Sequence, residues 1–131
     1  MKRKYFPLTV FLLLPFIFLS CSDDPSDYLN DGIKDFESGD YDAAITNLRK
    51  AKYLMPESFD ANLYLGESFL KNPTAKDAEY KARYYLHAAQ ELTKTSEQRF
   101  RISISLLNIY EKQKDYYKIV RECGTLLDKD Q

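Results

Sequence analysis

Residues 32–56 read GIKDFESGDYDAAITNLRKAKYLMP, and this stretch decides the fold. It describes two helices that face each other across a tight turn. Ala44, Leu48 and Ala51 recur at steps of four and three, which puts them on one side of a helix. Gly39 is a helix stop, and the Asp40 carboxylate can cap the helix that follows. Pro56 ends that second helix, because its ring cannot continue the hydrogen-bond ladder. Small side chains at Gly32, Ala44 and Ala51 let the two helices approach closely. Tyr41 fills the space beside the turn.

The same signals continue on both sides. Asp24-Pro25 is a cap followed by proline at the first helical position, so a first helix is expected to run to about Ser38. A second runs from Tyr41 to about Leu54. Ser58 caps a third, which reaches about Lys71. Asn72-Pro73-Thr74 forms the next turn, and a fourth helix is expected from about Ala75 to Leu92. Thr95 with Gln98 makes a capping box for a fifth, ending near Lys112. Asp115 caps a sixth, ending near Leu127. From Tyr28 onward no useful length of sequence alternates as a strand would. Only four glycines and five prolines in 131 residues, with many Ala, Leu, Lys and Glu, also favour helix over sheet. Short turns between six helices make sequence neighbours antiparallel.

Gly32 and Gly66 lie 34 residues apart, each in the middle of the first helix of a pair. With Gly39-Asp40-Tyr41, Ala44, Leu48, Ala51 and Pro56 in fixed order, the first pair resembles a tetratricopeptide repeat (TPR). Leu65, Gly66 and Phe69, followed by Ala82, Leu86 and Ala89, form a second repeat with extra residues in the Asn72–Asp77 turn. Leu106, Leu107, Tyr110, Asp115-Tyr116, Ile119, Cys123 and Leu126 form a looser third, after additional residues around Thr93–Arg99. The resemblance implies an all-α fold of α-α helical hairpin repeats, a TPR-like right-handed superhelix of about three repeats. It spans residues 28–128, with repeats at about 25–58, 59–96 and 97–128. The competing reading is a helical bundle with accidental repeats.

The N-terminus reads differently. Lys2, Arg3 and Lys4 precede a segment, Phe6 to Leu19, that is apolar apart from Thr9 and two prolines. That length suits a signal peptide and falls short of the roughly 20 residues of a membrane-spanning helix. Phe18-Leu19-Ser20-Cys21 resembles the lipobox of bacterial lipoprotein signals, although Phe18 and Leu19 stand where most such sequences carry Leu and a small residue. The resemblance implies removal of residues 1–20 and acylation of Cys21, with residues 21–27 as a short polar tether. An uncleaved anchor and a plain secretion signal are the alternatives. Ser22 after the cysteine implies the outer membrane facing the periplasm, with the cell surface as the other location. Cys123 is then a single thiol, expected to pack as a small core residue.

The chain carries a formal net charge of −1; without the three N-terminal cations, 16 basic residues face 20 acidic ones. Such a mildly acidic balance offers no attraction for nucleic acid or for anionic lipid. His87 is the one histidine; a metal centre needs more ligands of its kind. The four glycines are isolated, so no phosphate loop is present. No serine sits in a nucleophile elbow. No enzyme activity, cofactor or metal is expected.

The resemblance instead implies binding of protein partners along the first helix of each pair. Carried over place by place, the groove residues are Leu29, Ile33 and Phe36, then Asp60, Leu63, Glu67 and Leu70, then Arg101, Ile104, Asn108 and Glu111. Leu29 and Ile33 occupy places where chaperone-binding relatives use Lys and Asn to grip a carboxylate, so that clamp is absent. Leu29, Gly32, Ile33 and Phe36 also form one helical stripe, so they are either groove or core. Tyr116, Tyr117, Ile119, Val120 and Cys123 on the last helix form a surface a further repeat would cover, which makes self-association through the C-terminal helix a further expectation. The expected role is a membrane-anchored interaction scaffold or adaptor in the bacterial cell envelope. The alternative is a surface-exposed structural lipoprotein.

Overall fold

The computed structural model describes residues 24–127. The expected signal segment at 1–20, the acylation site Cys21 and tether residues 22–23 lie outside the described residues, as do Asp128 to Gln131. Pro25 to Asp27, expected as tether, belong to the first helix, with Asp24 as its cap.

Six helices account for the described chain: α1 (Pro25–Ser38), α2 (Tyr41–Leu54), α3 (Phe59–Lys71), α4 (Ala78–Glu91), α5 (Ser96–Lys112) and α6 (Tyr116–Leu127). Each of five helix starts uses a side-chain oxygen to accept a backbone N–H that has no partner in the helix. Asp24 accepts from Ser26, Asp40 from Ala43, Ser58 from Ala61 and Asp115 from Lys118. Thr95 and Gln98 form the reciprocal capping box. Side-chain and backbone hydrogen bonds from Lys118 hold the Asp115 carboxyl below its ordinary pKa.

The fourth helix starts at Ala78 rather than near Ala75. Asn72 is the cause. Its side-chain oxygen accepts both the backbone N–H of Thr74 at 3.0 Å and the Thr74 hydroxyl at 2.8 Å. This local turn competes with helix for the same backbone groups. Asp77 then sits in the left-handed region at φ 56° and makes no side-chain cap.

The helices form three antiparallel hairpins, α1–α2, α3–α4 and α5–α6, stacked in chain order. In the middle of the stack the backbone of α3 closely approaches those of both α1 and α5, whereas the backbone of α4 closely approaches neither α2 nor α6. The first helices of the hairpins therefore line the inner side, and the second helices are spread along the outer side. Ala44, Leu48, Leu65, Phe69, Ala82, Leu86, Ile102 and Leu106 are central members of one continuous core.

Gly32 and Gly66 occupy matching places in that core. A Cβ built on Gly32 would lie 2.6 Å from Leu48 Cγ and 2.9 Å from its Cδ2. One built on Gly66 would lie 2.8 Å from Leu86 Cγ and 3.1 Å from the Ala82 carbonyl. In both hairpins a leucine of the second helix seats on the bare backbone of the first.

The third hairpin departs from this. Leu107 stands where the glycines stand, and Cys123 where the leucines stand. The α5–α6 pair packs less closely than the other two. Cys123 is exposed rather than a core residue; α6 instead turns Ile119 against the core and buries Glu122.

Alanine at Gly32 or Gly66 is expected to destabilise the chain by roughly 1–3 kcal/mol, the range for forcing a methyl into a filled core. Gly124 faces open space, with nothing within 4 Å of its added Cβ. Alanine there is expected to stabilise by about 0.5–1 kcal/mol through helix propensity alone. Urea unfolding of the three variants checks the opposite signs.

Candidate functional site

Two surfaces are candidates: the inner side built by α1, α3 and α5, and the free end of the stack built by α5 and α6.

On the inner side, Leu29, Ile33 and Phe36 of α1 and Leu70 of α3 are half-buried and pack against the core. The α1 stripe therefore contributes to the core while keeping part of its surface open. Leu63 is 1% exposed, so it is a core side chain and offers no surface to a partner. Glu67 is also buried. Ile104 and Asn108 of α5 are exposed.

Glu67 is buried because α5 satisfies it. Its two carboxylate oxygens accept from Arg101 Nε at 3.2 Å and Nη2 at 2.8 Å. The Ser105 hydroxyl donates to the same carboxylate at 3.2 Å. The Arg101 guanidinium also lies 4.6 Å from the centre of the Tyr64 ring, and donates to its hydroxyl at 3.4 Å. Hydrogen bonding to Glu67 raises the Arg101 pKa beyond its already high ordinary value. Two parallel N–H to O bonds fix the pair geometrically as well as electrostatically.

Tyr64 carries the chain of contacts on to α1. Its ring meets the Phe36 ring edge-on at 5.2 Å, and the Lys71 ammonium sits 4.6 Å from the Phe36 ring centre. A ladder of Phe36, Tyr64 and Arg101 thus joins all three inner helices. It sets their relative rotation and uses up the charge of Glu67, leaving the inner side with aromatic edges and aliphatic flanks. Tyr64, Lys71 and Ser105 were not legible as members of this site. Arg101 and Glu67 stand 34 residues apart, the spacing of the two repeat glycines, and that match was the available signal.

A second network joins the outer helices. The Tyr110 phenol is held above its ordinary pKa by burial, with the Glu122 charge adding to the effect. His87 Nε2 lies 3.3 Å from the Tyr110 hydroxyl and Nδ1 3.1 Å from Gln90 Oε1. Gln90 and Ser103 in turn donate to Glu122. The lone histidine is thereby occupied by two neighbours. Among the described residues no group of His, Cys, Asp or Glu is arranged to hold a metal ion.

The free end has the opposite character. Phe100 is 57% exposed, Val120 72% and Leu127 74%. Phe100, Cys123, Leu126 and Leu127 line an open cleft of about 610 Å³ with Ser96, Glu97 and Arg99 at its rim. Val120 corresponds to Ile45 of α2, counted from the capping aspartates. Ile45 is buried in the core, where α2 packs against α3, and no described helix performs that service for Val120. Exposed apolar side chains grouped in this way mark a surface suited to contact.

No helix among the described residues is long and apolar enough to cross a membrane. No protein-family model matches the chain, and neither does any curated protein at a significant level.

Removing Glu67 and Arg101 singly and together, by alanine, is expected to show a coupling of about 1 kcal/mol, as for a bidentate pair fixed between two helices. A thermodynamic cycle from urea unfolding measures it. Simple additivity would mean that the pair does not tie α3 to α5.

Proposed function

We propose that this chain is a TPR-like repeat protein, held at a membrane through acylated Cys21, that serves as a protein-interaction scaffold or adaptor in the bacterial cell envelope. The apolar end at Phe100, Val120, Cys123 and Leu127, which no helix among the described residues covers, carries this reading. A repeat stack that leaves one end apolar has surface free for another polypeptide, and an amphipathic helix is the partner such a surface fits. The repeated seating of Leu48 on Gly32 and of Leu86 on Gly66 supports the tetratricopeptide assignment. It is the close approach that family's small residues permit.

The anchor reading rests on the sequence before α1. Lys2, Arg3 and Lys4, the apolar run and Cys21 support a lipoprotein signal. Each buried methylene contributes about 0.8 kcal/mol, so two or more acyl chains hold a protein at a bilayer while one does not. Ser22 supports the outer membrane, with the folded part facing the periplasm.

Self-association through α6 is part of the proposal. The apolar end of one copy suits the same end of a second, an arrangement with two-fold symmetry that closes on itself. Arg121 and Glu97 at this end give such a contact charges of both signs.

Size-exclusion chromatography with light scattering, on the chain purified from membranes in detergent, tests this reading. The unaltered chain is expected to elute as a dimer or with a bound envelope protein, and Val120→Glu as a monomer without one. Equal behaviour of the two would remove α6 as the contact. The intact mass of the same sample is expected to begin at Cys21 with acyl chains attached; residues 1–20 still present would remove the anchor.

A further inference from the structure

We infer that the edge of the first hairpin formed by Tyr28, Tyr53, Leu54 and Met55 is a membrane-docking surface that rests in the phospholipid headgroup region. The inference builds on the proposed acylation of Cys21 and goes beyond it by naming the face that meets the lipid.

The hairpin is antiparallel, so the C-terminal end of α2 lies beside the N-terminal end of α1. Tyr28, Arg49, Lys50, Tyr53 and Leu54 line an open cleft of about 490 Å³ there. Tyr53 is 85% exposed and Leu54 42%. Met55 is half-buried, and the exposed Pro56 follows it in the turn. The Lys50 ammonium sits 4.9 Å from the centre of the Tyr28 ring.

Chain reach decides what can cover this edge. Cys21 precedes Pro25 by four residues, which span at most about 14 Å when fully extended. An acyl-bearing sulfur at the membrane surface therefore brings the start of α1, and the end of α2 beside it, to the headgroup layer. The chemistry suits that location. Tyrosine rings favour the membrane–water boundary, where the ring is dehydrated and the hydroxyl stays wet. Lysine and arginine lay their methylenes along apolar surface and reach phosphate with their charged ends. Asp24, Asp27 and Glu57 lie at the same edge, so the contact depends on aromatic and aliphatic groups with local cation–phosphate pairs, rather than on net charge. The opposite edge also exposes aromatic rings, Tyr116 and Tyr117 at the start of α6, but it lies a helix length of about 20 Å from the start of α1, which the short tether does not bring to the headgroup layer.

The protein has no tryptophan, so a single introduced one reports its own surroundings. The full chain, purified from membranes with its modification verified by mass, is reconstituted in vesicles of phosphatidylethanolamine and phosphatidylglycerol whose acyl chains are brominated. Tyr53→Trp is expected to show a blue-shifted emission and to lose most of its intensity. Tyr117→Trp, at the far edge on α6, is expected to lose almost none. Leu54→Trp gives an independent reading one residue away, and circular dichroism verifies the fold of each variant. Equal quenching of Y53W and Y117W, or an unquenched Y53W, in acylated protein overturns the docking face alone. A mass showing Cys21 unmodified overturns the anchor and this orientation together.

Discussion

Everything in the fold depends on how closely paired helices approach. Side chains normally keep helix axes 8–10 Å apart. Gly32 and Gly66 remove the side chain at the crossing, and a leucine from the partner helix occupies the space. The remaining small residues follow from this. Ala44 and Ala51 flank Leu48, Ala82 and Ala89 flank Leu86, and all are fully buried. With the hairpins tight, Phe36, Tyr64 and Arg101 come within reach of one another across three helices. The inner ladder is thus a consequence of the hairpin packing and could not form on loosely paired helices.

The stack consequently has two unlike ends. At the first hairpin the close pairing is complete, and the exposed groups mix tyrosine, lysine and carboxylate. At the third, Leu107 replaces the glycine, α6 turns on its axis, and Val120 and Cys123 point away from the core. Burying Glu122 in exchange is tolerable because Ser103 and Gln90 donate to it. With an apolar face at one end and the proposed lipid tether at the other, the proposed partner contact would stand off from the membrane by the full length of the stack.

Local signals in the sequence were sufficient for the elements. The caps at Asp24, Asp40, Ser58, Thr95 and Asp115 depend only on residues within one turn, and each forms as its sequence implies. The α4 start was misjudged because the Asn72 side chain bonds to Thr74 and extends the turn. The glycine echo located the hairpin contacts, since a missing Cβ has one main use inside a helix. Quantities that depend on the rotation of one helix against another were hidden. Cys123 fits an apolar helical pattern and still faces outward, because α6 turns Ile119 and Glu122 inward instead, a rotation that no pattern within α6 records. The Glu67–Arg101 pair was likewise invisible as a pair, although both residues had been placed on the inner side. The groove places carried over from the family resemblance mixed exposed and core positions, Leu63 among them, because this stack's inner side is partly filled by its own aromatic ladder.

The central claim is that Leu48 fits only because Gly32 has no side chain. Urea unfolding of Gly32→Ala, Leu48→Ala and the double variant measures that dependence directly. The added methyl should partly fill the space that the shortened leucine leaves. The double variant is then predicted to be more stable than the sum of the single losses by about 1 kcal/mol or more, a coupling typical of residues in direct contact. Strict additivity of the two losses would contradict the account.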